Sequence, residues 1–306
     1  MKKLAITISA ILASTAVYAE NDATVDLQGA VGDTVTITQV SSNPFPWDDG
    51  NDAQVNMTNT FENTVTIDQD GRYNDSTVDV SGSRWNSITT TQNGKRGDSD
   101  VDVMNRSNGN IIQITQTDGS FFNKNTSDVD VSNYSSRNEI YITQNEDGNS
   151  STVSISNGSS FNDVDVTQSE DNTATVNISN GSGFNDVDVT QSEDNTATVS
   201  LSGGSGFNDV DVTQGEDNTA TVEVYWGSNG NDISIDQDES NTATVKLGYY
   251  SNGNEVDIDQ TSYDSLATVD MTASSFNSIS IMQTAQDVAL VTGSNAVGNT
   301  VTINQY

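Results

Sequence analysis

The stretch FNDVDVTQSEDNTATVNIS, Phe161 to Ser179, returns almost letter for letter at Phe184 to Ser202 and again from Phe207. A sequence that copies itself at a fixed period is an array, and the period has to be found before any single residue is read. Each copy has an Asn followed six residues later by a Gln: Asn162 and Gln168, Asn185 and Gln191, Asn208 and Gln214, Asn231 and Gln237, Asn254 and Gln260, Asn277 and Gln283. These pairs recur every 23 residues. The same rule applied outward finds Gln39, Gln69, Gln92, Gln116, Gln144 and Gln305, twelve segments in all, the first opening on Asp33 instead of Asn. Four residues after the Gln stands a second Asn in the regular copies (Asn172, Asn195, Asn218, Asn241), opening Asn-Thr-Ala-Thr-Val.

Within a copy, Asn162, Val164, Val166 and Gln168 alternate with Asp163, Asp165 and Thr167. Asn172, Ala174, Val176 and Ile178 alternate with Thr173, Thr175 and Asn177. Alternation of period two with β-branched residues is a strand signal. Each unit is therefore two short strands, with Ser-Glu-Asp as the turn between them and a Gly/Ser/Asn turn such as Ser179 to Gly183 leading to the next unit. No segment has a helical period. The expected fold is all-β, a β-solenoid of about twelve stacked strand-turn-strand repeats in an amyloid-like arrangement, with coils about 4.8 Å apart. Stacked copies place each valine over the next and allow buried Asn and Gln to hydrogen-bond their own copies above and below.

The chain has 306 residues, 44 acids, 10 bases, no His and no Cys, and is only 32% hydrophobic. Such a composition alone argues for disorder, and strict periodicity overrules it by stacking a thin core in register. Residues 1–19, MKKLAITISAILASTAVYA, read as a secretory signal peptide cut before Glu20. Its removal leaves 8 bases against 44 acids, hence a net charge of −36. Residues 20–50 hold the first half-repeats and a loop, Val40 to Gly50, with the two prolines Pro44 and Pro46. Residues 51–306 are the repeats proper, irregular up to Thr143 and regular from Asn162 to Gln283. The chain begins and ends on half-units, which offers open strand edges for pairing.

The acidity argues against nucleic acid, whose phosphates need Lys and Arg. No stretch after the leader is apolar enough for a membrane-spanning helix, so membrane insertion is not expected. Without His or Cys the usual nucleophile–base and zinc constellations are missing. The carboxylate pairs are copied in every unit, whereas acid–base chemistry needs one unequal pair in one cleft. An enzyme is not expected, and neither is a cofactor or a dedicated metal site.

Asn-x5-Gln, a short turn and Asn-x-Ala, repeated at about 23 residues through Gln39 to Gln305 and closing on Gln305-Tyr306, resembles the curlin repeat. Curlins are the subunits of curli, secreted bacterial amyloid fibres. The resemblance implies a fibre subunit that is exported through the outer membrane of a Gram-negative bacterium. It would polymerise at the cell surface by templated strand addition, with curli-type secretion and nucleation proteins as partners, and serve biofilm matrix and cell adhesion. The expected working residues are the stacking ladder already named, Asn162 through Gln283. Two departures stand out: Ile178, Leu201, Val224 and Leu247 occupy the place of a second curlin Gln, and Ser-Glu-Asp replaces a glycine-rich turn. The alternative is a monomeric solenoid binding ice or divalent cations. It would use the outward Thr-x-Thr rows (Thr173 and Thr175, Thr196 and Thr198, Thr219 and Thr221, Thr242 and Thr244) or the Asp rows.

Overall fold

The computed structural model describes residues 7–14, 20–41, 49–117 and 123–306. All regular structure among them is β. The chain divides into two compact units, Met1–Thr152 and Val153–Tyr306. In chain order the first holds β1 (Thr7–Ser14), β2 (Glu20–Gln28), β3 (Thr34–Ser41), β4 (Asp49–Thr58), β5 (Thr64–Arg72), β6 (Asp75–Ser81), β7 (Ser87–Lys95), β8 (Gly97–Met104), β9 (Ile111–Thr117), β10 (Asn125–Val131), β11 (Glu139–Gln144) and the first half of β12 (Ser150–Ile155). The second holds β13 (Asp163–Glu170), β14 (Thr173–Ser179), β15 (Asp186–Glu193), β16 (Thr196–Ser202), β17 (Asp209–Glu216), β18 (Thr219–Tyr225), β19 (Asp232–Glu239), β20 (Thr242–Gly248), β21 (Glu255–Gln260), β22 (Leu266–Thr272), β23 (Ser278–Gln283), β24 (Val288–Ser294) and β25 (Thr300–Gln305).

In each unit every strand pairs in parallel with the strand two places along, odd with odd and even with even. Pairing that skips one strand is what a coil produces when odd and even strands form its two sides. The protein is thus a β-solenoid of two parallel sheets, with about eleven turns among the described residues. All twelve Asn/Asp-x5-Gln segments end on an odd strand, β3 to β25. The register follows the repeat: Val164 lies opposite Val187, Gln168 opposite Gln191, Ala174 opposite Ala197.

The core is the one that alternation predicts. Val164, Val166, Val187, Val189, Ala174, Val176 and Ile178 are almost completely buried, while their strand neighbours face outward. Ile178, Leu201, Val224 and Leu247 are fully buried in the even-strand column, which explains their apolar character.

Strand boundaries differ from the expectation in two places. β3 takes in Val40 and Ser41 and β4 begins at Asp49, so both ends of the expected loop Val40 to Gly50 are strand. β13 does not stop at Gln168 but runs on through Glu170, which pairs opposite Glu193. The corner is a single residue, Asp171, in the left-handed region at φ 50°. Backbone pairing continues as long as the copies above and below agree, so Ser169 and Glu170 join the ladder instead of a turn. A second observation concerns the expected leader. The backbone of β1 lies parallel to β3, with Thr7 opposite Thr34 and Ser14 opposite Ser41. The remainder of the leader, residues 1–6 and 15–19, and most of the proline loop, residues 42–48, lie outside the described residues, as do residues 118–122.

Candidate functional site: the stacked amide ladders

Every residue before the Asn of an odd strand is left-handed. Trp85, Phe161, Phe184, Phe207 and Phe276 have φ between 56° and 61°, and Gly230 and Gly253 φ of 62° and 60°. A non-glycine residue in this region carries a steric penalty of about 1 kcal/mol or more. Here it turns the chain so sharply that the next residue, the Asn, enters the interior. Asn162, Gln168, Asn185, Gln191, Asn208, Gln214, Asn231, Gln237, Asn254, Gln260, Asn277 and Gln283 are all 0–2% exposed.

A buried amide is tolerable only if its bonds are made, and this column makes them. Asn208 Nδ2 donates to Asn185 Oδ1 at 2.9 Å and to the Ser228 carbonyl at 3.2 Å. Its Oδ1 accepts from the Asn231 backbone N–H at 3.1 Å and from Asn231 Nδ2 at 2.8 Å. Two donors and two acceptor positions are all used. No other residue of that size offers both kinds of group: an Asp lacks the donor and a Ser the reach. The glutamines repeat the scheme at the opposite corner. Gln214 Nε2 donates to Gln237 Oε1 at 3.0 Å and to the Thr196 carbonyl at 3.3 Å, and its Oε1 accepts from Gln191 Nε2 at 2.9 Å. A third ladder missing from the expected set opens the even strands: Asn195 Nδ2 donates to Asn172 Oδ1 at 3.1 Å and to the Gly215 carbonyl at 2.7 Å. The recurring Asn-Thr-Ala-Thr-Val was its signal. Each ladder has a direction, donors facing one way along the stack and acceptors the other, so each rung presents what the next one needs.

Outside the core the copies also stack. Asp163, Asp186, Asp209 and Asp232 form one column, and Asp165, Asp188 and Asp211 another. Burial against the sheet, then the carboxylates of Asp186, Asp165 and Asp211, push Asp188 up to about 6. In the first unit burial, then Asp100, Asp79 and Asp130, push Asp102 to about 6 as well. Among the described residues no three carboxylates converge into a cation cage. The threonines face outward in register, Thr173 over Thr196 over Thr219 over Thr242.

The period also brings together a row of aromatic rings at the corners. Phe161, Phe184 and Phe207 stack with ring centroids 4.8 and 5.0 Å apart and planes within 4° of parallel. Beside them runs a shallow groove of about 310 Å³ floored by Gly158, Gly181, Gly183, Gly204 and Gly206. The spacing of 23 between the phenylalanines was the available signal. No helix among the described residues is long and apolar enough to cross a membrane. No protein-family model matches the chain, and no curated protein matches it.

Proposed function

We propose that the chain is a secreted structural subunit of a curli-like extracellular amyloid fibre, of use in biofilm matrix and cell adhesion, that polymerises by templated strand addition. The observation carrying this reading is the directional completeness of the amide ladders. Each interior rung is satisfied by its neighbours, and the same bonds are available to a further rung from another copy. The curlin-like spacing, the leader-like residues 1–19 and the repeat itself support export from a Gram-negative cell and a place on its surface, with secretion and nucleation proteins as partners. Carboxylates multiplied in columns serve solubility and electrostatic restraint, not catalysis.

The columns set the conditions of assembly. Like charges ~4.8 Å apart in water repel by about 0.9 kcal/mol per pair before screening, and salt weakens this. Growth of residues 20–306, followed by thioflavin fluorescence, is expected to show a lag that preformed product removes. It should be faster in high salt and as pH falls through about 6, where Asp188 and Asp102 take up protons. Equally fast growth at low ionic strength near neutral pH would contradict the electrostatic restraint. The outward Thr columns favour a second reading, a monomeric solenoid binding ice or divalent cations. Thermal hysteresis, or calcium uptake, by a protein that stays monomeric would establish it in place of the fibre.

A further inference from the structure

β3, which lies next to β1 in the odd series, and β25, the last strand of that series, carry nearly the same six residues. β3 has Thr34-Val-Thr-Ile-Thr-Gln39 and β25 has Thr300-Val-Thr-Ile-Asn-Gln305. The single difference, Thr38 against Asn304, falls at an outward position. β3 already pairs on one flank with a strand of the same pattern, Thr64-Val-Thr-Ile-Asp-Gln69, with Val35 opposite Val65, Ile37 opposite Ile67 and Gln39 opposite Gln69. A β25 from another copy would repeat that register on the other flank.

The hydrogen bonds left over at the two strands are complementary. Gln39 Nε2 donates to Gln69 Oε1 at 2.8 Å, but its own Oε1 is buried with no partner. On the inner rungs that oxygen accepts from the preceding Gln, as Gln305 Oε1 does from Gln283 at 3.0 Å. Gln305 Nε2 donates to the Val288 carbonyl at 3.2 Å and meets no further glutamine among the described residues. One strand lacks a donor and the other has one to give. The even sheet agrees: the register that sets Ala23 and Val25 against Ala53 and Val55 would set them against Ala289 and Val291. Val301 and Ile303 are half-buried where their counterparts Ile279 and Ile281 are 1% exposed, so a further coil has apolar surface to cover.

The flank of β3 that this joint needs is taken by β1, with Ile8 opposite Val35, Ala10 opposite Ile37 and Leu12 opposite Gln39. The backbone of β3 on that flank is therefore already paired. We propose that β25 of one copy seats on β3 of the next, Thr300 opposite Thr34 through Gln305 opposite Gln39, and that Thr7–Ser14 blocks this seat until it is removed. The proposal rests on the fibre-subunit reading and adds to it the partner surface, its register and its release.

The chain has no cysteine, so single cysteines report the joint. Thr36 and Thr302 face outward and would lie opposite each other about 4.8 Å apart, within disulfide reach. Full-length Thr36→Cys and Thr302→Cys variants, each with a protease site between Ala19 and Glu20, are mixed under mild oxidation before and after cleavage. The expected result is no crosslink before cleavage, and fibres with a 36–302 disulfide after it. Thr36→Cys mixed with Thr198→Cys, on β16, should give none. Fibres without the 36–302 disulfide would overturn the joint and leave the fibre reading standing. Equal crosslinking before and after cleavage would overturn the block. A cleaved protein that stays monomeric in every condition would overturn the fibre reading and the joint with it.

Discussion

The two units build the same interior under opposite exteriors. In Val153–Tyr306 the acids stack on odd strands, at Asp163, Asp186 and Asp209, and the paired Thr-x-Thr rows on even ones. In Met1–Thr152 the assignment is reversed. There Asp75 stacks on Asp98, and Asp79, Asp102 and Asp130 form a column on the even strands β6, β8 and β10, while Thr36, Thr66 and Thr89 stack on the odd strands. The bases are divided too: of the eight after Glu20, only Lys246 lies in the second unit. Ladder spacing is looser in the first unit, with 24 and then 28 residues between Gln92, Gln116 and Gln144. Yet Asn86 makes the same bonds as Asn208, donating to Asn63 Oδ1 and the Ser107 carbonyl and accepting twice from Asn110. The fold is therefore specified by the amides and the apolar residues between them, and outward chemistry is free to move from one sheet to the other.

The largest effect is expected from breaking a rung, and it should be alike in the two units. Asn208→Ala and Asn86→Ala each strand buried donors and acceptors that have no access to water, and should each lower unfolding free energy by about 3 kcal/mol. Denaturant titration measures this. A loss under 1 kcal/mol in either unit would mean that the ladder there is a passenger of the core.

The corner column separates the units next. Phe184→Val removes a ring stacked on both sides and places a β-branched residue at φ 60°, at a loss of about 2 kcal/mol. Phe184→Gly loses the stack but relieves the backbone, and should come out near neutral. If both variants lose the same, the left-handed corner carries no strain.

Carboxylate neutralisation follows. A carboxylate raised by folding opposes the folded state while ionised, and that opposition is relieved as pH falls through its folded pKa. Both units should therefore gain Tm as pH drops from 7 through about 6. Asp188→Asn and Asp102→Asn should each raise Tm at pH 7 and flatten part of that gain. A pH profile left unaltered by both would show that the columns are fully solvated. The smallest effect belongs to Lys246→Ala, whose exposed pair with Glu223 at 3.0 Å should be worth under about 0.5 kcal/mol.

The interior was legible because its signal is periodic. Asn162, Val164, Val166 and Gln168 recur at fixed spacing, and alternation alone assigns them to the buried face. The corners were not, because a left-handed residue has no single identity: Phe161, Gly230 and Trp85 occupy equivalent places. The Ser-Glu extension of β13 read as a turn because Ser, Glu and Asp are turn residues, and only pairing with identical copies makes them strand. The acid column at Asp163 and Asp186 was visible from the regular copies. Its counterpart at Asp79, Asp102 and Asp130 was hidden by the unequal spacing of the first unit.

The most direct test of the account is diffraction from aligned fibres of residues 20–306 grown in high salt. Stacking of copies in register predicts a sharp meridional reflection at about 4.8 Å and an equatorial one near 10 Å, from strands and facing sheets. A protein that stays a soluble β-rich monomer at every salt concentration and pH, with nothing to align, would contradict it.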